Sequence, residues 1–203
     1  MKPVNALVKP FTDLIQKILG HYNVKVLRLI HGSILFIEEG EHFEIKCPLK
    51  NKNLKIAEIG VFTGVNSKEM MKYLNVAELY LIDPYENYEN THMGKINFSE
   101  AETIAKRRMK KFGKKVKFIK ESSSDAVNRI PNDMDYIYID GNHNYEYVKD
   151  DIMNYWDKVR PGGLLAGHDI GIYDVLKAVL EFSKEKKVDF FISKDDWIII
   201  KNK

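Results

Sequence analysis

The stretch IAEIGVFTGVNSKEMM, residues 56–71, decides how the rest of the chain is read. It begins as an apolar strand carrying Glu58 at its end, and Gly60 and Gly64 then open a loop that includes Val61 and Phe62. Asn66 and Glu69 stand at the spacing of a capping box that starts a helix. Strand, glycine loop and helix start therefore lie in one run. Such a turn leaves backbone N–H groups pointing outward at a helix N-terminus, and glycine lets a ligand come close to the main chain.

The next segment, LIDPY at 81–85, ends a second strand on Asp83. A carboxylate at that place accepts hydrogen bonds from the hydroxyls of a ribose, so the two segments together point to an adenosine-containing cofactor. Which one follows from three residues. A dinucleotide fingerprint, G-x-G-x-x-G, needs glycine where this chain has Phe62 and Val65. Glu58 would repel a pyrophosphate and attract an ammonium such as that of a methionine. These residues favour S-adenosylmethionine over a nicotinamide dinucleotide, with Glu58, Gly60, Val61, Phe62, Gly64 and Asp83 as the cofactor-binding set.

A second constellation lies downstream. DYIYIDGNHNYEYVKDDI (135–152) and RPGGLLAGHDI (160–170) place Asp140 at the end of one strand and His168-Asp169 at the end of the next. In an open α/β sheet, ligands gather outside the carboxyl ends of the strands, where Gly60, Asp83, Asp140 and Asp169 all fall. Asp140, His168 and Asp169 offer two oxygens and one imidazole to a divalent ion, Mg2+ or Mn2+ by its donor set. His143 stands just before a helix that starts near Tyr145 and can reach the same cavity as a general base, with Asp140 beside it. The plainer reading of His143 is a helix cap, and that of Asp150 and Asp151 is a structural or surface role.

Working outward, strands and helices alternate from Leu54 onward. Strands are expected at 54–58, 79–83, 116–119, 134–140 and 164–167, and helices at 67–73, 145–159 and 173–183, with a basic helix between the second and third strands. This pattern predicts a Rossmann-like, doubly wound α/β sheet, mostly parallel. VDFFI (188–192) and WIIIK (197–201) are too close for a crossover and predict a C-terminal antiparallel hairpin. Residues 1–53 differ in pattern. They carry an amphipathic helical stretch and then VKVLRLI and SILFIEE around His31-Gly32, read as a small hairpin, so the expected organisation is an N-terminal cap, 1–53, on a main domain, 54–203.

Composition sets the outer limits. At 203 residues, 44% hydrophobic and 30% charged, the chain has the make-up of a soluble globular protein of one ordinary domain. The single cysteine, Cys47, fits a reducing cytoplasm. The opening residues are broken by Pro3, Pro10 and charges, unlike a signal peptide, and no apolar run reaches the length of a membrane span. Net charge is only +3, yet Lys106, Arg107, Arg108, Lys110, Lys111, Lys114, Lys115, Lys117 and Lys120 are bunched together. They read as a solvated helix face, or as a surface for an anionic partner.

The quoted motifs are similar to those of class I S-adenosylmethionine-dependent methyltransferases, of the branch that includes macrocin O-methyltransferase and cephalosporin hydroxylase-like proteins. EIGVFTG resembles that family's first motif, LIDPY its ribose-binding acid, and IDGNHNYEYVKDDI with GGLLAGHD its later signature. The resemblance covers Leu54 to the C-terminus and implies a seven-stranded sheet ending in the antiparallel hairpin. It implies Ser122 or Ser123 near the adenine, although many relatives have an acid at 122, and Glu121 and Asp125 stand close by. It also implies methyl transfer to the hydroxyl of a small molecule. Metal-dependent members look similar at Asp140 and Asp169 but usually carry another carboxylate where this chain has His168. The loop PYENYENTHMGKINFS (84–99) is the expected lid over the acceptor, and a homo-oligomer is an expected state. The rival readings are a nucleic-acid methyltransferase or binder using 106–120, and a cofactor-binding module without chemistry.

Overall fold

A computed structural model of the chain describes residues 25–26, 49, 53–86, 97–193 and 195–202. Among the described residues, eight strands form one sheet: β1 (Lys25–Val26), β2 (Leu54–Ile59), β3 (Val76–Ile82), β4 (Val116–Ile119), β5 (Met134–Ile139), β6 (Val159–Gly167), β7 (Phe190–Ser193) and β8 (Asp196–Ile200). Their order across the sheet is β1-β7-β8-β6-β5-β2-β3-β4. Only β8 runs against its neighbours, pairing antiparallel with both β6 and β7. The seven strands from β2 onward match the expected architecture, and β1 adds an eighth at the edge.

The helices are α1 (Val65–Tyr73), α2 (Phe98–Met109), α3 (Ser123–Ala126), α4 (Tyr145–Trp156) and α5 (Tyr173–Lys186). They cover both faces. One apolar layer gathers Ala126 of α3, Ile152 and Tyr155 of α4 and Val179 and Phe182 of α5 against alternate residues of the sheet, Ala57, Ile137 and Leu165 among them. The other sets Met70 of α1 and Ala101 and Ala105 of α2 against Ile56, Leu79 and Tyr136. The strand period of two is what sends neighbouring residues to opposite layers. Among the described residues, no helix is long and apolar enough to cross a membrane.

Several boundaries shift from the expected ones. The strand ending at Gly167 begins at Val159, because Val159 pairs with Met134 ahead of a register shift. That irregularity lets Pro161, which has no N–H to donate, sit within the strand. The capping box at Asn66 and Glu69 does not form. Gly64, with φ 70°, is the residue that caps α1, and Asn66 lies inside the helix with its side chain turned elsewhere. Lys25 and Val26, part of the expected N-terminal hairpin, pair in parallel with Phe191 and Ile192 at the sheet edge. The rest of that hairpin, the N-terminal helical stretch and residues 87–96 of the expected lid lie outside the described residues.

The basic stretch is largely tied down. Lys106 and Lys120 both reach Glu102, at 2.6 and 2.8 Å, and Lys117 pairs with Glu78. Arg108 donates to the carbonyl of Thr63, and Lys115 to that of Val76 at 2.9 Å.

Candidate cofactor and acceptor site

Four loops are stitched into a row by the backbone ladder running past the strand ends. Gly60 N–H donates to Ile82 at 2.9 Å, Asp83 to Ile119 at 3.2 Å, Asp140 to Ile59 at 2.7 Å and His168 to Ile139 at 3.0 Å. Gly60, Asp83, Asp140 and His168 are thus brought to one edge, where the sequence reading set Gly60, Asp83, Asp140 and Asp169. Contact between the first and third loops is intimate. A Cβ built on Gly60, whose φ is 82°, would lie 2.0 Å from the carbonyl oxygen of Asp140. Glycine at 60 is required by that approach as well as by its backbone conformation.

Glu58 is buried on the α1 side of β2, at 1% exposure. It accepts hydrogen bonds from the Ser67 hydroxyl and, at 3.0 Å, from the Asn66 amide. Burial drives its pKa up to about 8 despite those two donors. A carboxyl kept protonated by burial becomes ionised when a cation docks beside it. Beside it, Asn66 Oδ1 is buried without a partner among the described residues, so the pair offers acceptors suited to an ammonium. The sequence did not single out Asn66 or Ser67 as ligands, because both read there as helix-start residues.

Asp83 proves to be a hub for its own loop. One carboxylate oxygen accepts from the N–H groups of Val61 (2.9 Å) and Phe62 (2.8 Å), and the other from Tyr85 (2.7 Å). Burial raises its pKa against the pull of those three donors. The first oxygen is saturated, and the second keeps one lone pair for an incoming hydroxyl. The same bonds hold Phe62 and Tyr85 at φ 48° and 52°, a region that side chains rarely adopt. Non-glycine residues in such conformations gather at functional loops, and Asp169, at φ 57°, is a third.

The expected adenine residues are engaged internally. The Ser122 hydroxyl caps α3, bonding Asp125 and Ser124. Ser123 accepts from the Tyr155 hydroxyl at its carbonyl, and its hydroxyl faces the buried carboxyl of Asp151.

At the acidic end, the imidazole that joins the two carboxylates is that of His143. Asp140, His143 and Asp169 each present a ligand atom within 4.8 Å of the others. The structure groups His143 with Asp140 and Asp169, where the expected triad had His168. His168 turns its Nδ1 to the far oxygen of Asp169, at 3.1 Å, and its Nε2 toward Asp196, at 3.9 Å. His143 Nε2 lies 3.1 Å from Asp169 and 3.6 Å from Asp140, yet among the described residues it makes no aligned hydrogen bond. Asp140, followed by the charge of Asp169, raises the His143 pKa above its usual value. For His168, burial opposes protonation, but the charges of Asp140, Asp169 and Asp196 outweigh it. Asp196 went unnoticed in the sequence. It opens β8, is 5% exposed and accepts a hydrogen bond from Tyr138 at 2.7 Å. A lone acid before an apolar run carries no pattern that would place it beside His168.

The family described as "Methyltransferase domain" matches residues 57–170, more than half of the chain. Protein R132 of Acanthamoeba polyphaga mimivirus is 30% identical over 144 residues, covering 65% of this chain and 60% of its own length. The chain thus spans about 60% of the length of that curated relative. Among solved structures, a caffeoyl-CoA O-methyltransferase assignment from Staphylococcus aureus aligns at TM-score 0.53 and 21% identity, covering 74% of this chain and 77% of that one. The O-methyltransferase from Bacillus cereus, in complex with SAH, aligns at 0.53 and 14%, covering 73% of each. At these identities the two structures share its fold.

Proposed function

Because this chain belongs to the methyltransferase-domain family, we propose that it binds S-adenosylmethionine and transfers the methyl group to a hydroxyl oxygen of a small molecule. The observation that carries this is the joined row of strand ends. A nucleoside acid at Asp83, an ammonium acceptor pair at Glu58 and Asn66, and the Asp140–His143–Asp169 group all stand at or beside one edge of the sheet. The SAH bound to the Bacillus cereus enzyme of the same fold supports the cofactor, and the names of the two O-methyltransferase neighbours support oxygen as the acceptor.

In the reaction, the acceptor oxygen forms a bond to the methyl carbon as the carbon–sulfur bond breaks. The electron pair of that bond stays on sulfur, giving the thioether S-adenosylhomocysteine. The acceptor's proton goes to His143, whose imidazolium is stabilised by Asp140 and Asp169 on either side. Alignment of the two bound reactants supplies much of the remaining acceleration.

A second reading is favoured by His143 Nε2, which lies between two carboxylates without an aligned hydrogen bond among the described residues. Two carboxylate oxygens and one imidazole nitrogen within 4.8 Å fit Mg2+ or Mn2+. A divalent ion there would supply charge that lowers the pKa of an acceptor hydroxyl. His143 would then be a ligand in place of a base.

The deciding experiment is calorimetric titration with S-adenosylmethionine and S-adenosylhomocysteine, with and without Mg2+ or Mn2+, alongside Asp83→Ala. Micromolar binding that Asp83→Ala abolishes supports the cofactor site. Folded protein that binds neither ligand rules it out. A metal-dependent change in affinity favours the second reading over the first.

A further inference from the structure

We propose that Asp151 and Tyr155, one turn apart on α4, are positioning residues that brace segment 121–124 against the Asp140–Asn144 loop and so fix the nucleoside half of the cofactor. The inference deepens the cofactor reading above and rests on it.

α4 begins directly behind the acidic loop, with Asn144 as its N-cap. Residues four apart on a helix share a face, and here that face is buried: Asp151 is 4% exposed and Tyr155 0%. Both side chains converge on one residue. The Tyr155 hydroxyl donates to the Ser123 carbonyl at 2.8 Å, and the Ser123 hydroxyl faces the Asp151 carboxyl, offsetting part of its burial. A hydrogen bond on its carbonyl and a buried carboxyl facing its hydroxyl leave Ser123 little freedom. On its other side, an Asp151 oxygen lies 3.9 Å from where a Cβ on Gly141 would stand, in the acidic loop itself.

The braced segment borders the ribose acid. β4 ends at Ile119, whose carbonyl accepts the N–H of Asp83, and residues 121–124 follow immediately. A base attached to a ribose at Asp83 therefore has this segment within reach. An acid is a costly choice for the brace. Burial pushes Asp151 up to about 7, and an apolar residue of similar volume packs such a position at lower cost. A carboxyl kept there serves the geometry of Ser123 more than the stability of the core.

The test compares wild type with Asp151→Leu, Asp151→Asn and Tyr155→Phe by thermal unfolding and by titration with S-adenosylhomocysteine and 5′-methylthioadenosine, which lacks the amino-acid end. Asp151→Leu is expected to weaken both ligands about tenfold without lowering the Tm, and Tyr155→Phe about threefold, as for loss of one hydrogen bond. Asp151→Asn, which keeps a polar partner for Ser123, should stay within about twofold. Wild-type affinity for both ligands in Asp151→Leu and Tyr155→Phe would overturn the brace. Weakening of S-adenosylhomocysteine with no change for 5′-methylthioadenosine would overturn its assignment to the nucleoside. If Asp151→Leu does not fold, Tyr155→Phe decides alone. Failure of the wild type to bind either ligand would instead sink the cofactor reading, and this proposal with it.

Discussion

His143 Nε2 stands 3.1 Å from a carboxylate oxygen of Asp169, across the gap between the β5 and β6 loops. This contact gives Asp169 a job that can be separated from its backbone. Asp169 sits at φ 57°, a conformation asparagine tolerates better than most residues, so Asp169→Asn removes the charge with little added strain. Turnover is expected to fall by about two orders of magnitude, the usual scale for disabling a positioned acid–base group. The Tm should move little. Titration with Mn2+ then separates the two readings of the site: binding by wild type that Asp169→Asn loses identifies a metal centre, and no binding by either leaves His143 as the base.

Burial of Glu58 predicts a pH dependence of a definite sign. Its folded pKa, about 8, is above its ordinary value of 4.5, so the native state holds a proton that the unfolded chain has released. That stabilisation is complete below about pH 4.5 and disappears as pH rises through about 8. Its upper bound is roughly 5 kcal/mol, from the size of the shift. The ligand-free protein should lose Tm between pH 6 and pH 8.5, and Glu58→Gln should flatten that slope. An ammonium docked beside Glu58 favours its ionised form. Binding of S-adenosylhomocysteine near pH 7 should then release a proton, visible as a calorimetric enthalpy that changes with the ionisation heat of the buffer. No buffer dependence would place the ammonium elsewhere.

The sequence made the sheet and the ligand edge legible because both rest on local pattern. Apolar runs of strand length, separated by helix-length segments, gave the alternation, and Gly60, Asp83, Asp140 and Asp169 each sit where a strand stops. The short interval between VDFFI and WIIIK was enough for the hairpin. What sequence could not supply was the direction of side chains. His143 and His168 each stand close to an acid in the sequence, and only the folded loops set His143 between the carboxylates and His168 toward Asp196. Asp151 read as either a structural or a surface acid, because whether the face it shares with Tyr155 is buried depends on what packs against it.

Gly60→Ala is expected to be among the most damaging single changes in the chain. Its Cβ would fall 2.0 Å from one backbone atom of Asp140 and 2.7 Å from the N of Gly141, at φ 82°. Backbone cannot give way as a side-chain tip can, so a loss above about 3 kcal/mol is expected by urea unfolding. Gly171→Ala is the control, with open space around it and an ordinary φ, and should lie within about 0.5 kcal/mol of wild type. Equal stability of the two variants would mean that the β2 and β5 loops do not touch.

Asp83→Asn tests whether the ribose acid also builds the loop it serves. Asparagine keeps one carbonyl oxygen and replaces the other with an N–H donor. Asp83 uses both of its oxygens as acceptors, for Val61 and Phe62 on one side and Tyr85 on the other. Whichever way the amide is turned, a donor faces a donor. The variant should therefore lose about 1–3 kcal/mol of stability, the cost of a buried N–H without a partner. Its S-adenosylhomocysteine affinity should fall more than tenfold, since the lone pair left for the ribose is disturbed together with the loop. A variant as stable as wild type that merely binds more weakly would show that Asp83 acts on the ligand alone and that Phe62 and Tyr85 hold their conformations without it.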